Sequence, residues 1–440
     1  MNYTPDWFPA LEGAYLVGGC VRDLLLGRVP ADYDVAVTGE PSDSARALAA
    51  AVGGRVVKIG KAGFPLWRVA AARHVIDVTP TTGGSIAQDL RCRDFTVNAL
   101  AIDTATREII DVSGGRSDLA AGVIRMVDAS AFNADPVRLI RAFRFAAVLG
   151  FTIESLTLAA IRREAGLIRN SAGERIREEL FKLLARRNAC PHLAAMANTG
   201  VLQAIFTEAE PCPGLSSIHV IETLLDGFAS FPPALADRLS AEFQEHRQAL
   251  LKLAILLRCS AVRPQAGVNL LARMRDRLRL SNRDTVRLES LLRPDALPWD
   301  TFYKPSPSAR EEVRFFRRSG PEAPDLLLLA MATAKANSAA SPEPPEALDA
   351  ALRNWLAAYF FRYQPRMQTP PLLTGNDLIS EFGLKPSGRF KDILGFIEEE
   401  RLSRDRLTRP EAVDLVAELL KTLPEANPRV PSRKGPRRNP

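Results

Sequence analysis

The first 128 residues alternate short runs of branched apolar residues with polar or glycine-containing breaks. The runs AYLVGG, DYDVAV, RVVKIG, LWRVAA and HVIDVT are rich in Val and Ile, which is typical of strands. The segment PSDSARALAAAVGG has helical spacing instead, with Ser42 or Asp43 near its start and Gly53 and Gly54 at its end. Strands interleaved with helices predict an α+β head with a mixed sheet over residues 1–128.

From Asn133 onward the apolar positions recur mostly at helical spacing. The stretch NADPVRLIRAFRFAAVLGF predicts a helix capped by Asp135, with Pro136 in its first turn. The segments GERIREELFKLLARR, ALLKLAILLRC and PDLLLLAMATAKA predict further helices. We therefore expect an all-helical neck over 129–200, a body over 201–365 and a tail over 366–428.

Proline-rich stretches mark the predicted breaks in this helical part. The stretch ASPEPPEALD predicts a loop between helices, and QPRMQTPPLLTGNDL predicts a boundary near residue 366. The last twelve residues, RVPSRKGPRRNP, contain five basic residues, three prolines and no acid. This composition predicts a disordered basic tail over 429–440.

Composition narrows the class of protein only a little. The five cysteines are scattered without a CxxC pair and only four histidines are present, which argues against a zinc site or a disulfide framework. No apolar run is long enough for a membrane span, and Met1 to Ala10 lacks the pattern of an export signal, so we expect a cytoplasmic protein. The net charge of +7 suits a phosphate-rich partner, but many proteins are equally basic.

The stretch YLVGGCVRDLLLGRVPADYDVAV carries the first candidate chemistry. Gly18 and Gly19 lie between a predicted strand and a predicted helix, where backbone N–H groups can hold a triphosphate. Arg22 in the first helical turn can add charge-assisted bonds to phosphate. Asp32 and Asp34 are two residues apart, a spacing that points both carboxylates to one face of a strand and suits Mg²⁺. Taken alone, a pair of solvent-exposed aspartates is the commoner explanation.

These motifs resemble the tRNA nucleotidyltransferase and poly(A) polymerase family, and most closely its bacterial CCA-adding branch. The first family motif matches the opening stretch at four features: the two glycines, the Arg-Asp pair, LLG followed by a basic residue, and Asp-x-Asp. The stretches DLRCRDFTVNALA, ADPVRLIRAFRFA and GERIREEL match later motifs, and LTGNDLISEFGLKPSGRFKDIL is similar to the family's tail. The strong motifs cover residues 15–180, and the middle of the body resembles the family only loosely.

The resemblance implies transfer of C and A nucleotides from CTP and ATP to the 3′ end of tRNA, with release of pyrophosphate. It implies that Asp32 and Asp34 hold two Mg²⁺ ions, with Asp77 as an additional catalytic acid. The residues that it implies in nucleotide binding are Gly18, Gly19, Arg22, Arg93, Asp94, Asn98, Asp135, Arg138, Arg141 and Arg144. The helical body and tail would bind the tRNA elbow; the resemblance implies no particular protein partner.

Asp135 and Arg138 match the family's base-reading pair. Cytosine presents an amino donor beside acceptors, so an aspartate and an arginine together can imitate a complementary base. Adenine offers a related pattern, which fits a site that accepts both nucleotides. A plain helix cap is the alternative explanation for Asp135.

The sequence departs from the family pattern at three places. Cys92 stands where the second motif usually has an arginine, and Ala134 stands where many bacterial relatives have glutamate. Only eleven residues, VTPTTGGSIAQ, separate Asp77 from Asp89, where many CCA-adding relatives carry a longer flexible loop. The family uses that loop to change from C to A addition and CC-only members have it shortened, but some A-adding members also tolerate a short loop.

Two other functions remain open at this point. A poly(A) polymerase of the same superfamily would extend unstructured RNA with ATP, and the basic C-terminal residues are compatible with it. A catalytically silent RNA-binding protein could use basic helices such as LARMRDRLRLSNRDTVRL to follow backbone phosphates, although a solvated helix face explains these arginines equally well. A phosphohydrolase is not expected, because Arg258 and Cys259 stand where a His-Asp pair would be needed.

Overall fold

The computed structural model describes residues 3–59, 65–206, 214–259, 264–304, 306–336 and 345–422. The chain divides into two compact units. The first comprises Met1–Ser230 and Leu239–Pro294, and the second comprises Phe231–Arg238 and Asp295–Pro440. No described helix is long and apolar enough to cross a membrane.

The N-terminal part of the first unit contains eight of the nine strands found in the described residues. Its elements are β1 (Ala14–Val17), α1 (Gly19–Leu25), β2 (Tyr33–Val37), α2 (Pro41–Val52), β3 (Arg55–Lys58), β4 (Trp67–Ala70), β5 (Val75–Pro80), α3 (Ile86–Arg91), β6 (Leu100–Asp103), β7 (Ile109–Asp111), α4 (Gly115–Ala121) and β8 (Val123–Ile124). Single 3₁₀ turns lie at Thr82–Gly84 and Thr96–Asn98.

Helices follow almost without interruption. They begin with α5 (Ala131–Ala134) and α6 (Arg138–Leu149), then the short β9 (Thr152–Ile153), α7 (Ser155–Glu164), α8 (Gly173–Leu184), α9 (Ala189–Asn198), α10 (Val201–Phe206), α11 (Leu215–Asp226), α12 (Pro233–Glu242), α13 (Glu245–Cys259), α14 (Pro264–Leu278) and α15 (Asn282–Leu292). The rest are α16 (Trp299–Phe302), α17 (Ala309–Ser319), α18 (Ala323–Ala336), α19 (Pro345–Ala358), α20 (Gln364–Met367), α21 (Gly375–Phe382), α22 (Arg389–Ser403) and α23 (Arg409–Thr422).

The seven-stranded sheet of the head has the order β3-β4-β5-β2-β1-β6-β7. Strands β2 and β5 are parallel and every other pair in this sheet is antiparallel, so the sheet is mixed. The α+β prediction, with a mixed-sheet head followed by helices, is therefore confirmed. The five predicted strand runs coincide with β1 to β5.

Strand register places the candidate chemistry in one row across the sheet. Asp34 on β2 pairs with Asp77 on β5, and Asp77 pairs with Arg68 on β4. Residues in register on neighbouring strands point to the same face, so these three side chains lie side by side. Alternation along β2 turns Tyr33 and Val35 into the core, which leaves Asp34 on the opposite face.

The starts of two predicted helices can be compared with the structure. In α2, Ser42 and Asp43 lie in the first turn as predicted, Glu40 is the N-cap, and Gly53 ends the helix in the left-handed conformation. Helix α6 begins at Arg138, because Asp135 is extended after α5 and a turn at Pro136 and Val137 leads into the helix. Asp135 still behaves in part as a cap, since its Oδ1 accepts a 3.3 Å bond from the Val137 N–H.

The second unit is helical and its last part has its own core. Leu378, Ile393, Ala412 and Val416 are fully buried between α21, α22 and α23. In the predicted loop ASPEPPEALD, residues 340–344 lie outside the described residues, and α19 begins at Pro345, so the rest of that segment is helix. The predicted basic tail over 429–440 also lies outside the described residues.

Candidate active site

Gly18 lies between β1 and α1 and has a backbone conformation that few other residues adopt, at φ 74° and ψ −134°. A Cβ atom placed there would lie 2.8 Å from Nη1 of Arg93 and 3.9 Å from Oδ2 of Asp34. Gly18 is therefore required both by backbone geometry and by the close approach of two predicted site residues. Gly19 is the first residue of α1, and a Cβ there would meet only ordinary contact distances, the nearest being 3.7 Å to Arg22 Nη2.

Asp32 and Asp34 present carboxylates that bond no other described side chain. Asp32 lies in the bend just before β2, and Asp34 is the second residue of the strand. Burial by the surrounding protein, and then the neighbouring Asp32 carboxylate, raise the pKa of Asp34 to about 6, although the positive charge of Arg93 acts in the opposite direction. Two close carboxylates of this kind repel each other and are suited to a shared cation.

Asp77 lies beside Asp34 but is bonded to another residue. Its two carboxylate oxygens each accept a 2.7 Å bond from Arg68, one from Nε and one from Nη2. This bond raises the pKa of the Arg68 guanidinium above its usual value. The structure thus brings Asp77 to the predicted place and adds Arg68, which the motifs did not indicate but which alternation along WRVA puts on the same face.

Arg93 is held over the glycine turn by Asp89. Its Nε and Nη2 donate to Oδ2 of Asp89 at 3.0 and 2.8 Å, and the other oxygen of Asp89 accepts a 3.1 Å bond from the Thr82 N–H. Asp89 is buried, so this contact is shielded from water. One carboxylate therefore joins the β5–α3 turn to a predicted nucleotide-binding arginine.

A second group of predicted residues forms a connected network. Arg22 Nη1 donates to Asn98 Oδ1 at 2.8 Å, and Asn98 Nδ2 donates to Asp94 Oδ1 at 3.2 Å. The other Asp94 oxygen accepts from Arg141 at 2.6 and 2.8 Å. Burial alone would raise the pKa of Asp94, but Arg141 and the hydrogen bonds outweigh it and hold that pKa below its usual range.

Arg141 and Arg144 both face Glu179 on α8. Glu179 is buried and accepts a 2.5 Å bond from Arg144 Nε, while Arg141 Nη1 lies 3.5 Å from its other oxygen. The Phe145 ring lies 3.9 Å from the Arg144 guanidinium carbon and 5.4 Å from that of Arg22. These arginines are thus engaged by protein groups here, and a role in binding nucleotide stays a prediction for them.

Asp135 and Arg138 are brought together at the start of α6. Arg138 donates from Nη2 to the Cys92 carbonyl at 2.8 Å and from Nη1 to the Arg93 carbonyl at 3.3 Å. Asp135 accepts two bonds from Arg175 of α8, at 3.0 and 2.6 Å. Arg175 and Glu179 both lie in the GERIREEL segment, which was the available signal for their importance.

The described residues contain no group of three or more His, Cys, Asp or Glu side chains that would enclose a metal ion. The free pair Asp32 and Asp34 instead leaves room for further ligands. Mg²⁺ commonly binds one or two carboxylates together with substrate phosphates, and the pair fits that pattern.

A mixed sheet with an Asp-x-Asp pair beside a glycine turn defines the class of nucleotidyltransferases. The family described as Poly A polymerase head domain matches residues 14–125. The family described as probable RNA and SrmB-binding site of polymerase A matches residues 150–212. Both matches fall in the first unit, where all the predicted site residues lie.

Curated relatives extend the match to nearly the whole chain. The CC-adding tRNA nucleotidyltransferase of Geobacter sulfurreducens is 34% identical, over 94% of this chain and 93% of the relative. The A-adding tRNA nucleotidyltransferase of Deinococcus radiodurans is also 34% identical, over 93% and 96% of the two chains. The chain belongs to the tRNA nucleotidyltransferase family.

Solved structures agree in fold. A CCA-adding enzyme with ATP superposes with a TM-score of 0.71 at 23% identity, covering 94% of this chain and 91% of the other. A Thermotoga maritima CCA-adding enzyme with tRNA superposes with a TM-score of 0.58 at 24% identity, covering 92% and 91% of the two chains. The fold of this chain is therefore that of CCA-adding enzymes.

Proposed function

We propose that this chain adds cytidylates to the 3′ end of tRNA from CTP and leaves the terminal adenylate to another enzyme. The observation that carries this choice is the short, internally bonded turn between β5 and α3. CC-adding relatives from Geobacter sulfurreducens and from Synechocystis, at 34% and 31% identity, agree with it.

Hydrogen bonds hold the turn over residues 81–85 at its start and at its end. The Thr81 N–H donates to the Val37 carbonyl at 2.8 Å, and the Thr82 N–H donates to Asp89 at 3.1 Å. The next residues form a 3₁₀ turn, and Ser85 then caps α3 by accepting from the Gln88 N–H. A segment bonded in this way has no spare length to reach toward a base, which fits the shortened loop of CC-only members.

The residues of the head suit nucleotidyl transfer. Arg93 and Arg22 flank the glycine turn and would contact the triphosphate with charge-assisted bonds. The tRNA 3′ oxygen would attack the α-phosphorus, and pyrophosphate would leave, so the phosphorus exchanges one P–O bond for another. Asp77, held by Arg68, would orient the groups beside Asp34 in the same row of the sheet.

Asp32 and Asp34 would hold Mg²⁺. When bound, the metal supplies charge neutralisation of the triphosphate and activates the 3′ hydroxyl. The raised pKa of Asp34 supports this assignment, because burial and then the neighbouring Asp32 carboxylate disfavour its negative charge, which a bound cation would offset.

Base selection would fall to Asp135 and Arg138. Asp135 would accept from the N4 amino group of cytosine, and Arg138 would donate to its N3 and O2 acceptors. The contacts of Arg138 with three backbone carbonyls, those of Cys92, Arg93 and Ala131, support this, because a fixed guanidinium can select a base more sharply than a mobile one.

A-addition is the second candidate. The Deinococcus radiodurans A-adding relative matches as large a share of this chain, at the same identity, as the CC-adding relative from Geobacter. An A-adding enzyme would act only on tRNA that already ends in CC, so the choice of primer distinguishes the two.

The test gives purified protein three RNAs: tRNA lacking its last three nucleotides, tRNA ending in CC, and an unstructured RNA of similar length. Labelled CTP and labelled ATP are supplied separately with Mg²⁺. We expect CTP incorporation on the first RNA alone. ATP incorporation on tRNA ending in CC would show A-addition, long ATP-dependent products on the unstructured RNA would show a poly(A) polymerase, and no incorporation would refute nucleotidyl transfer.

A further inference from the structure

The two base-reading residues are fixed by different means. Arg138 is held by backbone carbonyls of the head, at 2.8 and 3.3 Å. Asp135 is held by a side chain, because Nη1 and Nη2 of Arg175 donate to its two oxygens at 3.0 and 2.6 Å. The orientation of the Asp135 carboxylate therefore depends on Arg175, aided by one weak bond from the Val137 N–H.

Arg175 is well placed to fix that orientation. It lies in the first turn of α8, a twelve-residue helix that packs against α6. On the same helix, buried Glu179 anchors Arg144 of α6. A bidentate guanidinium–carboxylate contact fixes the plane of the carboxylate as well as its position. Oδ1 of Asp135 accepts from both Arg175 and the Val137 N–H, whereas Oδ2 accepts only from Arg175 and keeps a lone pair that can accept from a bound base.

We propose that Arg175 is a positioning residue that sets the discrimination between CTP and UTP by orienting Asp135; this rests on the proposed function. Cytosine presents an amino group at position 4, from which the held carboxylate accepts. Uracil presents a carbonyl oxygen there, which a fixed carboxylate repels. A carboxylate released from Arg175 rotates away from the base, so it binds cytosine less well and rejects uracil less strongly.

The ion pair between Arg175 and Asp135 contributes little to folding, so its role in nucleotide selection can be tested in variants that still fold. The Arg175 side chain is 55% exposed and that of Asp135 is 23% exposed. Ion pairs as open to water as this add little to stability. Substitution of Arg175 should therefore leave the fold intact and act on nucleotide selection.

The experiment measures kcat and KM for CTP and for UTP separately on tRNA lacking its last three nucleotides. The variants are Arg175→Ala, Arg175→Lys, Asp135→Ala and the double variant Arg175→Ala with Asp135→Ala. Arg177→Ala is the matched control, because Arg177 lies on the same helix but donates to the Arg279 carbonyl. Thermal melting of each variant checks that it folds.

We expect Arg175→Ala to raise the KM for CTP and to lower the CTP-to-UTP ratio of kcat/KM by about tenfold, the scale of one misplaced hydrogen bond to a charged group. Arg175→Lys should recover part of the ratio, since it restores the charge without the planar fork. In the Asp135→Ala background the Arg175 substitution should add nothing, because its partner is absent.

An unchanged nucleotide ratio in both Arg175 variants, with the wild type active, would overturn the proposal. Equal losses from Arg175→Ala with and without Asp135 would also overturn it, because Arg175 would then act by another route. If the wild type incorporates no nucleotide, the proposed function fails instead, so the two failures are distinguishable. If Arg175→Ala does not fold, Arg175→Lys decides the outcome.

Discussion

Replacing Gly18 with alanine perturbs backbone and site together, and the two effects can be separated. The backbone at Gly18 has φ 74° and ψ −134°, a region that is strained for any residue with a Cβ atom. Strain of this kind costs about 1–3 kcal/mol, and alanine recovers about 0.4–1 kcal/mol by restricting the unfolded chain. We therefore expect a net destabilisation of about 1–2 kcal/mol.

The effect on activity should be much larger than this strain implies. The new Cβ would lie 2.8 Å from Arg93 Nη1, which is too close, so the guanidinium must move. Movement of a flexible side-chain end adds little to the folding cost, but it would move Arg93 away from the proposed triphosphate site. Loss of one charge-assisted bond, worth about 1.5–3 kcal/mol, corresponds to about a 10- to 100-fold fall in kcat/KM for CTP.

Gly320→Ala is the matched control. Gly320 has nearly the same backbone angles, φ 58° and ψ −137°, and the nearest atom to an added Cβ is a side-chain oxygen 3.9 Å away. It lies in the second unit, away from the predicted site residues in sequence. The assay compares CTP incorporation into tRNA lacking CCA, at a temperature where both variants are folded. Equal activity of the two variants would refute the role assigned to the glycine turn and Arg93.

Three further predictions follow from single contacts. Asp34→Asn should lower CTP incorporation by about 10²- to 10³-fold or more. Binding of tRNA, measured by filter retention, should change by less than about twofold, because the substitution is local to the proposed metal site. Near-normal incorporation would exclude Asp34 as a metal ligand. Arg68→Ala should lower kcat/KM by about tenfold because it leaves Asp77 unneutralised beside Asp34, and Arg68→Lys should lose less because it keeps the positive charge; a lysine variant no better than the alanine variant would contradict this electrostatic explanation. Lys252→Met should reduce the free energy of unfolding in urea by about 3–5 kcal/mol, because it leaves the buried Glu222 carboxylate, which is 5% exposed, without its ion-pair partner. The variant that also carries Glu222→Gln should lose less stability. A loss under about 1 kcal/mol in the single variant would contradict this explanation.

The sequence predicted the head well because its strands carry local signals. Branched apolar runs bounded by glycine and proline mark β1 to β5, and the Asp-x-Asp spacing places Asp34 on the solvent face of β2. The start of α6 differs from the prediction by a few residues. Asp135 is extended and accepts from the Val137 N–H, as a capping residue does, but a turn at Pro136 and Val137 precedes the regular helix.

The partners of the site residues could not be predicted from sequence, because they are set by pairings between distant segments. Arg68 reaches Asp77 only through the antiparallel register of β4 and β5. Glu179 reaches Arg144 across 35 positions through the packing of α6 and α8. The family motifs identified these segments as important, yet they did not reveal which side chain bonds to which.

The central claim is that this chain adds two cytidylates and then stops. The most direct measurement is the length of the product, resolved to one nucleotide, when tRNA lacking CCA is incubated with excess CTP and ATP together. The proposal predicts a product longer by two nucleotides, unchanged when ATP is left out. A product longer by three nucleotides that depends on ATP, or no product at all, would contradict it.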